Sequence, residues 1–192
     1  MQMAEPQGTY ATIAIAMPSD DAIRKVTGPA HDPHAMLNVI KMMAGTEDMY
    51  LACTGFIGAL FQTQGIDPRT REMIMLRAAK ILNCPYEWEA NKVLARNVGL
   101  TGEDIAAAAS ESPATGLSPE YQLICRATDE LSLTATLSDE TLSQLLAFYG
   151  DVVSRKLILI IGWFNLLSRF LNGCRVPLED FGKLVSKNDP LN

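Results

Sequence analysis

Apolar residues recur along this chain every three to four positions, and the strict alternation of half-buried strands is nearly absent. That periodicity predicts an all-α protein. Asp32-Pro33 reads as a cap followed by proline at the first helical position, with Met36, Val39, Ile40 and Met43 as the inner face and Gly45 as the stop. Thr46 is expected to cap the next helix, whose inner face is Met49, Cys53, Phe56 and Leu60. Asp67-Pro68 repeats the cap-plus-proline signal for a helix to about Leu82, and Pro85 opens another that stops at Gly99. Thr101-Gly-Glu-Asp104 has the form of a capping box. A Pro- and Gly-containing linker, 110–116, then separates two groups of helices.

The second group begins at Ser118-Pro119, with Tyr121, Ile124, Cys125 and Leu131 on its first helix. Ser138-Asp-Glu starts the next, with Leu142, Leu145 and Leu146 expected inside. A long helix follows from about Asp151 to Asn172, with Gly173 as its stop, Pro177 beyond and a short polar tail. The two groups, about 32–110 and 118–180, read as weakly related halves of one domain spanning 1–192. In that alignment the second half offers only Arg155 and Ile158 where the first carries Cys84 and Glu87.

Composition narrows the function classes. A net charge of −6 argues against a nucleic-acid surface, which needs clustered Lys and Arg. The greasiest run, Leu157 to Leu167, is flanked by Lys156 and Arg169 and is too short to span a bilayer, so it reads as a core helix. Cys53, Cys84, Cys125 and Cys174 form no CxxC pair, and reduced thiols together with a start lacking Lys and Arg imply a cytoplasmic protein without a secretory leader. His31 and His34 flank Asp32 and read as a solvated turn, so no metal is expected there. Trp88 and Trp163 read as core filler. Arg169, one turn from Asn165, is expected to meet a carboxylate of a neighbouring helix.

The candidate chemistry lies between Glu72 and Asn91. Glu72 sits among Met73, Leu76 and Ala79 on an apolar helix, where desolvation would raise its pKa toward neutrality. On the following helix Cys84, Glu87 and Asn91 stack on one face at spacings i, i+3, i+7. Cys84 at the cap position is expected to be favoured as a thiolate by the helix dipole. A capping role for Glu87 and a structural role for Cys84 are the plainer readings of the same residues.

The segments Asp67-Pro-Arg-Thr-Arg-Glu72-Met-Ile-Met-Leu-Arg-Ala-Ala, Tyr86-Glu87-Trp88 and Leu94-Ala-Arg-Asn-Val-Gly-Leu-Thr101, with Trp163-Phe-Asn165, Arg169-Phe-Leu-Asn172 and Val176-Pro177, resemble the carboxymuconolactone decarboxylase and alkyl hydroperoxidase D superfamily. The resemblance runs from near Leu37 to about Leu178. It implies an alkyl hydroperoxidase D-like helical bundle that assembles into homo-oligomers (dimer, trimer or hexamer). In the hydroperoxidase branch the site is Glu, then Cys-x-x-Cys-x-x-x-His. Glu72 matches the Glu and Cys84 the first Cys, whereas Glu87 stands at the second Cys and Asn91 at the His. The decarboxylase branch carries Glu at the second Cys position but keeps the His. Asn91 can orient an oxygen but cannot shuttle a proton.

The resemblance therefore implies a cofactor-free enzyme acting by proton transfer on a small organic acid or lactone, with Glu72, Cys84, Glu87 and Asn91 at its site. The alternatives are a single-cysteine hydroperoxidase using Cys84 and a non-catalytic ligand-binding oligomer. No cofactor, nucleic acid or membrane partner is expected.

Overall fold

The computed structural model describes residues 13–187 and 189–191, and among these all regular structure is helical. Eight α-helices run in the order α1 (Asp20–Thr27), α2 (Asn38–Ala44), α3 (Tyr50–Phe61), α4 (Pro68–Ile81), α5 (Pro85–Asn97), α6 (Gly102–Ala108), α7 (Pro119–Thr134) and α8 (Asp139–Cys174). Short 3-10 turns occupy Glu47–Met49 and Phe181–Leu184.

α4 is the centre of the bundle. It packs against α5, α6, α7 and α8, and every residue from Thr70 to Lys80 is buried. A helix enclosed on all sides normally carries apolar residues all round. This one also buries Arg71, Glu72, Arg77 and Lys80, so its charged groups need partners inside the protein. Its start follows the sequence closely: Asp67 accepts the Arg69 N–H at 2.8 Å and Pro68 takes the first helical position. At its end Asn83 adopts a left-handed conformation (φ 48°), and the Cys84 N–H donates to the Ala79 carbonyl at 2.8 Å. The chain thereby reverses within two residues into α5, and Asn172 of α8 pins the corner by donating to the Leu82 carbonyl at 3.1 Å. The Thr101–Asp104 capping box of α6 forms in both directions.

Several expectations are corrected. Asp32-Pro33 forms an isolated turn rather than a helix start, because the Asp32 carboxylate accepts the His34 N–H and α2 begins at Asn38. α1, capped by Ser19, precedes the region where the first helix was expected. Met49 belongs to the 3-10 turn that precedes α3 and faces solvent at 61 % exposure, while Ile57 and Leu60 of α3 are buried. Of the three leucines expected inside the first part of α8, Leu145 is buried and Leu142 and Leu146 are exposed. The two helices expected around 138–172 are both present, however, and α8 is a pair joined at a kink at Gly150, whose φ of 71° and extended ψ are non-helical and suit glycine. α8 runs past Gly173 and ends instead at Arg175 in the left-handed conformation. The core stripe of Leu157, Ile160, Ile161, Phe164 and Leu167 is buried, and no helix among the described residues is long and apolar enough to cross a membrane. All four cysteines are free thiols.

The tail beyond Pro177 is not merely polar. Glu179 accepts hydrogen bonds from the Tyr86 hydroxyl and, at 2.5 Å, from the Asn38 N–H. Asn97 donates to the Leu184 and Lys187 carbonyls at 2.7 and 2.6 Å. The tail therefore straps across α5 and the start of α2, and buries Leu184.

Candidate functional site

Glu72 on α4 and Cys84, Glu87 and Asn91 at the start of α5 are all buried, with Glu72 and Cys84 fully so. The i, i+4 spacing places the Asn91 amide on Glu87, donating to its Oε2 at 2.9 Å. Glu72 receives only a weak contact, from Arg71 Nε to Oε1 at 3.4 Å. Its other oxygen is buried without a hydrogen-bond partner. Arg71 is held elsewhere too, by the Phe61 carbonyl at 3.3 Å and by the Phe61 ring, 4.2 Å from its guanidinium carbon.

Burial dominates the electrostatics. Desolvation pushes the Glu72 carboxyl up to about 8; Arg71 opposes this and the charge of Glu87 adds to it. Glu87 is pushed up to about 7 by burial, against the Asn91 hydrogen bond. Two carboxyl groups on neighbouring helices are thus poised around neutral pH, and their titrations are linked through their charges. Cys84 moves opposite to the sequence expectation. Burial first, and then Glu87, push its thiol up to about 12, overriding the helix N-terminus. The Ser168 hydroxyl lies beside it and favours the thiolate only weakly.

Only two of the four residues face a common space. Glu87 and Asn91, with Tyr86, Ala90, Leu94 and Met75, line a cavity of about 30 Å³, room for a water or two. Its remaining walls include Leu37 and Ile40 of α2, Phe164 of α8, and Leu184 and Pro190 of the tail. Glu72 and Cys84 are not on that lining. The expectation that four polar tips share one hollow is corrected accordingly: Glu72 and Cys84 are buried in the core outside that lining.

Several residues were not singled out from sequence. Tyr86, quoted above in the Tyr86-Glu87-Trp88 segment but given no role, lines the cavity and bonds Glu179, 93 positions away. Arg77 is fully enclosed and donates to both oxygens of Asp129 at 2.5 and 2.6 Å, to the Ala108 and Ser110 carbonyls, and to the Ser112 hydroxyl. The 110–116 linker, read as a spacer, is therefore locked onto α4. Arg169 meets no carboxylate among the described residues: it donates to Asn165 Oδ1 at 2.9 Å and to the Ser132 carbonyl at 3.4 Å. Trp88 is in the core, and half-buried Trp163 packs on Phe56 with ring centroids 4.6 Å apart. Among the described residues no three His, Cys, Asp or Glu side chains converge as a metal site; His31 and His34 are exposed.

The all-α bundle that carries this buried glutamate and the Cys-Glu-Asn face has an alkyl hydroperoxidase D-like fold. The structure superimposes on a protein from Ralstonia eutropha JMP134 described as an alkylhydroperoxidase AhpD core and an uncharacterized peroxidase-related protein, with a TM-score of 0.74 and 17 % sequence identity. The match covers 94 % of this chain and 100 % of that one, and at this identity it speaks to the fold. Residues 47–130, which span η-turn Glu47–Met49 through most of α7 and hold all four candidate residues, match the carboxymuconolactone decarboxylase family. Over that segment the chain is similar to the carboxymuconolactone decarboxylase family, and its fold is that of the AhpD core. No curated protein sequence matches it.

Proposed function

We propose that this protein is a cofactor-free enzyme that moves a proton to or from a small organic acid or lactone, in the manner implied by its family's name. The observation that carries the reading is the pair of buried carboxyls raised to about 8 and about 7 on adjoining helices. Carboxyls with values near the working pH can both take and return a proton. Glu87 borders the cavity and acts on the substrate; Asn91 orients Glu87 and offers its amide to an oxygen. Glu72, buried on the adjoining helix, holds its own proton at pH 7. Decarboxylation, isomerisation and lactone opening all fit this pair. The small cavity requires Leu184 and Pro190 to give way before any organic acid reaches Glu87.

The peroxidase alternative is disfavoured by the state of Cys84. A thiol raised to about 12 is protonated at neutral pH, whereas attack on a peroxide needs the thiolate. Glu87, at the spacing where a second thiol would resolve the sulfenate, cannot do so.

The test is CO2 release from carboxymuconolactone, together with deuterium exchange into a set of small lactones and unsaturated acids. Glu87→Gln is expected to reduce turnover at least tenfold with the fold intact by circular dichroism. Glu72→Gln is expected to shift the pH profile of kcat. Wild-type activity that survives both substitutions rules the reading out. In parallel, peroxide consumption is expected to be equal in wild type and Cys84→Ser; a loss confined to the variant would restore the peroxidase alternative.

Assembly into a homo-oligomer belongs to the same proposal. Phe148, Val152, Leu159 and Leu166 of α8 are all more than half exposed, a larger apolar stripe than a monomer ordinarily presents. Sedimentation is expected to find a species heavier than the 21.0 kDa chain; a purely monomeric boundary at micromolar concentration would contradict it.

A further inference from the structure

We propose that the groove between α2, α3 and the C-terminal tail is a binding site for amphipathic carboxylates. The groove encloses about 480 Å³, within the size range of small-ligand sites. It abuts the Glu87–Asn91 cavity: Leu37, Ile40, Leu184 and Pro190 form walls of both. Leu184 and Pro190 separate the two spaces, so a molecule in the groove is distinct from one at the carboxylates. The assignment therefore holds whether or not Glu72 and Glu87 catalyse a reaction.

The chemistry of the lining selects the ligand. One wall is apolar, and Leu51 stands 71 % exposed on it, surface that a hydrocarbon chain would cover. Two groups at the groove that can donate stand without a side-chain partner among the described residues. The half-buried Lys187 ammonium makes no side-chain hydrogen bond or ion pair among the described residues, and neither does the Tyr50 hydroxyl. The other charged groups are committed or face water. Lys183 donates to Glu179 at 2.9 Å and to the Met36 carbonyl at 3.2 Å. The exposed Asp32 carboxylate accepts the His34 N–H at 3.0 Å. A carboxylate presents acceptors alone, and against an ammonium it forms the stronger, charge-assisted kind of hydrogen bond. A neutral head group of the same size leaves Lys187 without a charged partner. The ligand that satisfies both walls is an organic acid with its carboxylate at Lys187 and its hydrocarbon over Leu51 and Leu184.

Calorimetric titration of the full chain with octanoate and with 1-octanol tests this. Octanoate is expected to bind saturably and 1-octanol at least tenfold more weakly. Lys187→Gln is expected to bring octanoate down to the level of the alcohol while leaving the alcohol unchanged. Leu51→Ser is expected to weaken both. Both positions are accessible to solvent, so the variants are expected to melt as wild type does, which the same samples report. Absence of saturable octanoate binding, equal affinity for acid and alcohol, or octanoate affinity that Lys187→Gln leaves intact would each overturn the assignment. None of these outcomes depends on turnover, so they are separable from a failure of the proposed enzymatic activity.

Discussion

Arg77→Met is expected to lower the stability of this protein by about 3–5 kcal/mol, the range for breaking a buried ion pair on one side. For a chain of this length that corresponds to a fall in Tm of roughly 10 °C. Arg77 is entirely enclosed, and its donors reach Asp129 on α7, two carbonyls at the end of α6 and in the following linker, and the Ser112 hydroxyl. Removing the guanidinium strands the Asp129 carboxylate and two carbonyls with no water to replace it. The loss comes from those abandoned groups more than from the attraction itself. Arg77→Met combined with Asp129→Leu is accordingly expected to recover part of it, since the uncompensated charge is gone. Thermal melts of the two singles and the double provide the comparison. A single variant within about 1 kcal/mol of wild type would mean that the pair carries no such role.

The second large effect is pH-dependent. Glu72 and Glu87 hold protons in the folded protein, up to about pH 8 and about pH 7, that the unfolded chain gives up near its ordinary value of 4.5. An acid whose folded value is raised contributes stability that is present at low pH and is lost as pH rises through that value. Wild-type stability is therefore expected to fall between about pH 5 and pH 9, opposite in sign to the usual acid denaturation. Glu72→Gln with Glu87→Gln mimics the protonated pair and removes the dependence. At pH 5 the double variant and wild type are expected to melt together. At pH 9 the variant is expected to be more stable by at least about 2 kcal/mol, or roughly 5 °C. Coincident melts at pH 9 would show that the two carboxyls ionise without cost, and the proton-transfer reading would lose its support along with them. Stability traded for reactivity in this way is common where carboxyls are kept from water.

The same residues explain what could be read in advance. α4, α5, α6 and α7 lie where their caps place them: Asp67-Pro68, Pro85, the Thr101–Asp104 box and Ser118-Pro119 each act within four residues of themselves. The stacking of Glu87 under Asn91 follows from the helical repeat alone. The same local logic misplaced the start of α2. An Asp-Pro pair signals a cap equally well for an isolated turn, and only packing decides whether a helix continues from it. It also misjudged α8, where Leu142 and Leu146 have core chemistry on a face left exposed among the described residues.

The positions and caps of α4 to α7 and the pairing of Glu87 with Asn91 were thus contained in the amino-acid order, because each depends on contacts a turn or less apart. The acidity of Cys84 was not. Whether Cys84 is a thiolate or an inert thiol depends on the α8 surface and on Glu87 beside it, and burial there outweighs the local helix N-terminus. Nor could the order show that Glu179 would reach back 93 positions to Tyr86, or that Leu184 and Pro190 would wall the cavity. Those outcomes are set by which surfaces meet when distant segments pack, and by the water they exclude, for which a local pattern holds no record.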